Sequence, residues 1–130
     1  MGKAPGYQYH PSHKIREKRV RGRMQVELDG QILADSGDVI KVDEDGSPPR
    51  YYFPRSDVVM GRLEPTDMTS TCPYKGTANY FRVVAAGGGI LEHAVWSYED
   101  PYDEHRGLAG RLAFYDDKYP GIHVRPAPRT

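Results

Sequence analysis

The amino-acid sequence predicts a mostly β protein: a single small domain of coiled antiparallel sheets with one or two short helical turns. Three observations carry this expectation. From Val20 onward apolar residues recur with period two, the pattern of a strand whose successive side chains leave opposite faces. Turn-forming runs, among them Asp29-Gly30, Asp45-Gly46-Ser47-Pro48-Pro49 and Gly87-Gly88-Gly89, interrupt the pattern at short intervals. No segment sustains a helical period long enough for a full amphipathic helix, and there is neither an internal repeat nor a βαβ alternation.

The elements follow in order. Residues 1 to 18 mix Gly, Pro, Tyr, His and Lys/Arg without apolar periodicity and read as a flexible basic arm, leaving residues 19–130 as the β domain. Val20, Met24, Val26 and Leu28 share one face, and Asp29-Gly30 returns the chain into Gln31-Ile32-Leu33-Ala34, the strongest short-range hairpin signal. Val39 to Val42 makes a third strand, and Arg50-Tyr51-Tyr52-Phe53 a fourth, stopped by Pro54. Arg55 to Leu63 holds a helical turn with Ser56 or Asp57 as its cap, and Glu64-Pro65-Thr66-Asp67 makes a loop. Thr77 to Ala86 and Ile90 to Tyr98 are strands folded back at the glycine triplet. Asp103 to Leu108 forms a brief helix, and Arg111 to Tyr115 and Ile122 to Val124 the last strands.

Composition bounds the rest. A chain of 130 residues supports one hydrophobic core and is short for two. Apolar content is only 38%, but ten tyrosines supply buried area while keeping a polar tip, so the core is expected to be small and aromatic. Lys/Arg and Asp/Glu balance at 18 each; residues 1 to 23 hold seven bases and one acid, which leaves eleven bases against seventeen acids beyond them. An acidic folded part makes nucleic acid an unlikely partner unless the arm alone provides the contact. One cysteine permits no internal disulfide, and no secretory signal or apolar run of membrane-spanning length is seen. The expected setting is reducing and cytoplasmic, without a membrane. Position 6, where a myristoylation signal needs Ser or Thr, is Gly6.

Two stretches concentrate reactive and ligand-gripping side chains: Thr71-Cys72-Pro73-Tyr74-Lys75-Gly76-Thr77 and Ala94-Val95-Trp96-Ser97-Tyr98-Glu99-Asp100-Pro101. They hold the only cysteine and the only tryptophan. Cys72 is a nucleophile if a cation, a helix N-terminus or a histidine lowers its pKa, and a small buried hydrophobe otherwise. No metal site or cofactor is expected, since a zinc site in a small β domain needs paired cysteines. Lys75-Gly76-Thr77 lacks the upstream glycine of a phosphate loop and precedes a strand rather than a helix. Lys75 is then either a point charge for a carboxylate or phosphate or a turn residue pointing at water. Trp96 and Tyr98 face one side of their strand, with Tyr80 on the partner strand and Tyr52 able to complete an aromatic pocket; an ordinary aromatic core is the alternative. Arg55 and Glu99 sit at strand ends, where they orient a ligand or pair with each other.

The series Leu28 to Ser36, Tyr51 to Val58, Cys72 to Gly76, Trp96 to Pro101 and Ala113-Phe114-Tyr115 resembles the domain-of-unknown-function 427 family over about Val20 to Val124. The resemblance implies a tent-like β fold, similar to those of some zinc-binding and methionine-sulfoxide-reducing proteins but without their paired cysteines. The family carries a nominal nucleotidyltransferase label, whereas the Gly-Ser motif with paired aspartates that would hold two magnesium ions is missing here.

The leading functional expectation is a small-molecule-binding β domain whose pocket combines Tyr52, Arg55, Tyr80, Trp96 and Tyr98 with Lys75 and Cys72. An enzyme acting on a small organic or anionic substrate, with Lys75 or Cys72 reacting and Glu99 moving protons, is the second. A protein-interaction module using the aromatic face, or a nucleotidyltransferase-like enzyme as the family label has it, completes the set.

Overall fold

A computed structural model describes residues 1–128. Its most local feature is the hairpin of β2 (Met24–Leu28) and β3 (Gln31–Ser36). Leu28 pairs with Gln31, and the two intervening residues take positive φ, +53° at Asp29 and +79° at Gly30. That is the type I′ turn whose twist matches the strands it joins. Met24, Val26 and Leu28 are buried while Gln25 and Glu27 are only partly so, the predicted alternation. β10 (Ile122–Pro126) pairs antiparallel with the other edge of β2 to complete a three-stranded sheet.

A second sheet has the order β1-β4-β5, from β1 (Ile15–Arg19), β4 (Ile40–Glu44) and β5 (Arg50–Tyr52). The third has the order β6-β7-β8-β9, from β6 (Leu63–Cys72), β7 (Gly76–Val84), β8 (Ile90–Tyr98) and β9 (Leu112–Phe114). All pairings between these strands are antiparallel. The second and third sheets meet at one reciprocal backbone pair: the Phe53 N–H donates to the Leu112 carbonyl at 2.8 Å, and the Leu112 N–H to the Phe53 carbonyl at 2.9 Å. Short 3-10 turns occupy Arg55–Asp57, Met60–Arg62 and Asp103–Leu108. The chain is thus mostly β, as expected.

Alternation along β5, β8 and β9 divides the interior in two. Phe53, Val95, Leu112 and Phe114 join an aliphatic-rich core with Met24, Val26, Leu33 and Ile122. Tyr52, Trp96 and Ala113 turn the other way, into an aromatic cluster with Tyr80, Tyr98, Ile40, Val42 and Leu108. The same strands therefore build the hydrophobic core on one face and the aromatic site on the other.

Three local expectations differ from what is observed. Glu64 to Asp67 is part of β6, a polar edge strand that accommodates Pro65 with a register shift before Thr69; edge strands tolerate a proline because its missing N–H is not needed by a neighbour. Neither Ser56 nor Asp57 caps the turn that contains them, which begins after Pro54 without a side-chain cap. Asp57 instead accepts a hydrogen bond from the buried Ser36 hydroxyl at 2.6 Å.

Residues 1 to 18, read as a flexible arm, contain α1 (Gly6–Tyr9) and most of β1, which pairs with β4 from Ile15↔Glu44 to Arg19↔Ile40. The first residues lie as a strap across the Cys72–Gly76 loop. The Gly6 N–H donates to the Pro73 carbonyl at 2.9 Å, and Gly6 sits so close that a Cβ there would be 2.7 Å from Tyr74 Cε1. The Ala4 N–H donates to Glu104 at 2.9 Å, and Ala4 is buried. Period two does not reveal this segment because it docks through glycine, backbone and polar contacts.

Candidate functional site

The site grows from β7 and β8. Tyr80 lies directly opposite Trp96, and Ala78 opposite Tyr98, so the two-residue spacing brings all four onto one face. From the second sheet Tyr52 meets them: its ring is edge-on to Trp96 at 6.2 Å, and the buried Trp96 Nε1–H donates to its hydroxyl at 3.1 Å. Tyr115, just past β9, lies against Trp96 at 4.2 Å and stacks parallel to Tyr80 at 6.5 Å. These five aromatic residues line a cavity of about 150 Å³. Burial pushes the Tyr52 and Tyr98 phenols far up and the Tyr115 phenol up to about 12, so all three present neutral hydroxyls at physiological pH.

Polar groups enter the same cavity from β4, β5 and the β6–β7 turn. The Lys75 side chain is only 9% exposed, and its Nζ donates to Glu44 Oε1 at 2.5 Å, 5.9 Å from the centre of the Tyr98 ring. Glu44 Oε2 lies 2.9 Å from His13 Nε2, and the His13 ring stacks on Tyr74 at 4.4 Å. Burial alone would raise the Glu44 carboxyl, but the hydrogen bonds and charges of Lys75 and His13 hold it below the usual carboxylate range. The Arg50 guanidinium covers the rings of Trp96 at 5.2 Å and Tyr115 at 5.1 Å, a cation–π arrangement. It also forks onto Asp117 with hydrogen bonds of 2.9 and 3.3 Å, which keeps that carboxyl below its ordinary range.

Of the eight residues singled out from the sequence, Tyr52, Lys75, Tyr80, Trp96 and Tyr98 line the cavity. Cys72 does not; it is half-buried opposite Gly76 and packs on the edge of the aromatic cluster. Arg55 and Glu99 are paired with each other at 2.8 and 3.0 Å, and Arg55 also donates to the Gly110 carbonyl at 2.8 Å. Their alternative as mutual partners is the one seen. Sequence reasoning missed Glu44, Arg50, Tyr115 and His13. Arg50 was accessible, since the spacing that joins Trp96 to Tyr98 also joins Arg50 to Tyr52. His13 and Glu44 carry no local signal, as their contacts with the pocket are set by β1–β4 pairing and by the strap.

A second constellation sits under the strap, outside the cavity. Tyr7 Oη is 2.6 Å from His105 Nε2, and His105 Nδ1 is 2.5 Å from Glu17 Oε2. His105 is buried, and the Tyr7 phenol is pushed up to about 12, chiefly by burial and then by Glu104. The Tyr7 ring meets Tyr74 edge-on at 4.9 Å. These contacts pin the strap; a phenol with so high a pKa is a poor nucleophile.

The fold is that of a small, mostly β domain of three antiparallel sheets, with a buried aromatic cluster between the second and third. Residues 16–125 match the family model described as a domain of unknown function (DUF427), and the chain belongs to that family. None of the curated proteins matches the chain. Among the described residues no helix is long and apolar enough to cross a membrane.

Proposed function

We propose that the protein binds a small, negatively charged, unsaturated molecule in the cavity between Arg50, Lys75 and the aromatic walls. The observation that carries this reading is that two cations and five aromatic rings line one cavity, Lys75 held there by the lining carboxylate Glu44 and Arg50 by Asp117 outside the lining. An incoming anion would share Lys75 with Glu44 and Arg50 with Asp117, phenol groups supply directed hydrogen bonding, and flat rings favour a flat ligand. A cavity of about 150 Å³ corresponds to roughly five water volumes at about 30 Å³ each, which suits a compact acid better than a nucleotide.

The side-chain contacts favour binding over catalysis. Lys75 is hydrogen-bonded to a carboxylate, whereas a nucleophilic lysine must reach a neutral amine. Glu99 is held by Arg55, and Cys72 stands outside the cavity lining. A recessed cavity with polar heads also fits a small molecule better than the flat apolar patch of a protein-docking surface. We place this activity in the cytoplasm.

Trp96 is the only tryptophan, so its emission reports directly on the cavity. Titration with oxalate, pyruvate, benzoate and inorganic phosphate, read by Trp96 fluorescence and thermal shift, is expected to give saturable binding of at least one anion. Arg50→Leu, which keeps aliphatic packing on the rings, should weaken that binding tenfold or more, about 1.4 kcal/mol. Saturable binding that Arg50→Leu leaves unchanged, or no response to any of the anions, refutes the proposal.

A further inference from the structure

A larger recess lies on the opposite face of the β1-β4-β5 sheet. Along β5, Arg50 and Tyr52 line the aromatic cavity, while Tyr51 lines a groove of about 400 Å³. Its apolar wall is made by Val20, Met24, Tyr51 and Val124, with Met24 and Val124 contributed by the β10-β2-β3 sheet. Every charged side chain that lines it is a cation, from Lys18, Arg19 and Arg21 at the end of β1 and just beyond it, and Lys41 of β4.

Two of these cations stand in an unfavourable arrangement. The register places Lys18 directly opposite Lys41, and Lys41 directly opposite Tyr51. Like charges facing each other across an antiparallel pair are destabilising. Arg19 is paired with Asp38, and Lys41 has Asp43 at 3.6 Å; among the described residues Lys18 and Arg21 have no carboxylate within 4.0 Å. An anion placed across this row relieves the repulsion, and an apolar body attached to it covers Val20, Met24 and Val124.

We propose that this groove binds a free, single-chain amphipathic carboxylate, its head held by Lys18, Lys41 and Arg21 and its hydrocarbon lying against Val20, Met24, Tyr51 and Val124. The volume falls at the lower end of the roughly 300 to 1,000 Å³ of ligand pockets, which favours a medium-length chain. Head and tail make separate predictions: the head term falls with salt, and the tail term grows with each buried methylene.

The test is calorimetric titration of the full chain with hexanoate, octanoate and decanoate below their micellar range, with decanol as the uncharged control. Affinity should rise about fourfold per methylene, which is about 0.8 kcal/mol at about 1.4 kcal/mol per tenfold. Decanol should bind at least tenfold more weakly than decanoate. Lys18→Glu/Arg21→Glu, at exposed positions, should lose tenfold or more while keeping the wild-type melting temperature within about 2 °C. Should that variant unfold, Lys18→Gln/Arg21→Gln read by amide chemical shifts of Val20 and Tyr51 provides the same comparison. Arg50→Leu is expected to leave decanoate binding intact, which separates this groove from the aromatic cavity. Affinity independent of chain length, decanol binding equal to decanoate, or charge reversal without effect overturns the proposal. So does co-sedimentation with phosphatidylserine vesicles in the absence of binding to monomeric decanoate, which would assign the groove to a membrane surface.

Discussion

Replacing Lys75 by alanine tests whether the pocket's lysine is a structural partner as well as a ligand group. The side chain is 9% exposed and its Nζ is 2.5 Å from Glu44, itself 18% exposed. Removing one partner of a fully buried pair costs about 3–5 kcal/mol, whereas an exposed pair is worth about 0–1. Here the stranded carboxylate keeps His13 at 2.9 Å and some solvent, so the expected cost is about 2–3 kcal/mol. An unfolding entropy of about 2.1 cal/mol/K per residue gives 130 residues about 0.27 kcal/mol/K, and the melting temperature should fall by about 7–11 °C. Urea and thermal unfolding of Lys75→Ala, Glu44→Gln and the double variant form the cycle. In the Glu44→Gln background Lys75→Ala should cost at least about 1 kcal/mol less, because no carboxylate is left unpaired. A melting temperature within about 2 °C of wild type, or equal losses in both backgrounds, would refute the reasoning.

Three further outcomes follow from the same contacts. The folded Glu44 carboxyl lies below its ordinary value of 4.5, so its contribution is fully present above that pH and is lost as pH falls through the lower folded value; Glu44→Gln should flatten the acid limb of a stability-versus-pH curve, and an unchanged limb would count against the pair. Tyr52→Phe removes the acceptor of the buried Trp96 indole N–H, which should cost about 1–3 kcal/mol in urea unfolding and shift Trp96 emission, whereas an unaltered spectrum would place the indole elsewhere. Gly6→Val forces a side chain against Tyr74 and the Pro73 carbonyl, and an overpacking cost of about 1–3 kcal/mol, together with faster proteolysis before residue 15, is expected if the strap is docked as described.

What the sequence revealed depended on the range of the interaction. The Asp29-Gly30 hairpin was legible because its conformation is decided by two adjacent residues, β2 because burial on one face forces alternation, and β7 and β8 because their β-branched and aromatic residues are bounded by the glycine triplet. β1 (Ile15–Arg19) was not, since it is partly buried only at its first residue and exposed at the remaining four; a charged edge strand shows no alternation. β6 was hidden in the same way by Pro65 and a run of exposed polar residues. Within the site, Tyr80, Trp96 and Tyr98 could be grouped by strand spacing. The pairing of Lys75 with Glu44 spans 31 residues and depends on how the β6–β7 turn meets the second sheet, which local pattern does not encode. Arg55 and Glu99 drew attention as polar residues at strand ends, and it is their fit to each other that draws them away from the cavity.

The junction of Phe53 with Leu112 gives the cavity a built-in breathing point. Glu44, Arg50 and Tyr52 stand on one side of that junction, and Lys75, Tyr80, Trp96 and Tyr98 on the other. A reciprocal backbone pair, with the Trp96–Tyr52 hydrogen bond and the Lys75–Glu44 ion pair beside it, is easier to part than a full strand ladder. Parting it would widen the recess while both sheets keep their own hydrogen bonds, at the cost of the core contacts of Phe53 and Leu112, and so is a partial opening rather than global unfolding. Amide hydrogens of Phe53 and Leu112 should therefore exchange faster than that of Val95 in β8, and a ligand bridging Arg50 and Lys75 should slow them, since it would fasten the two halves of the cavity to each other.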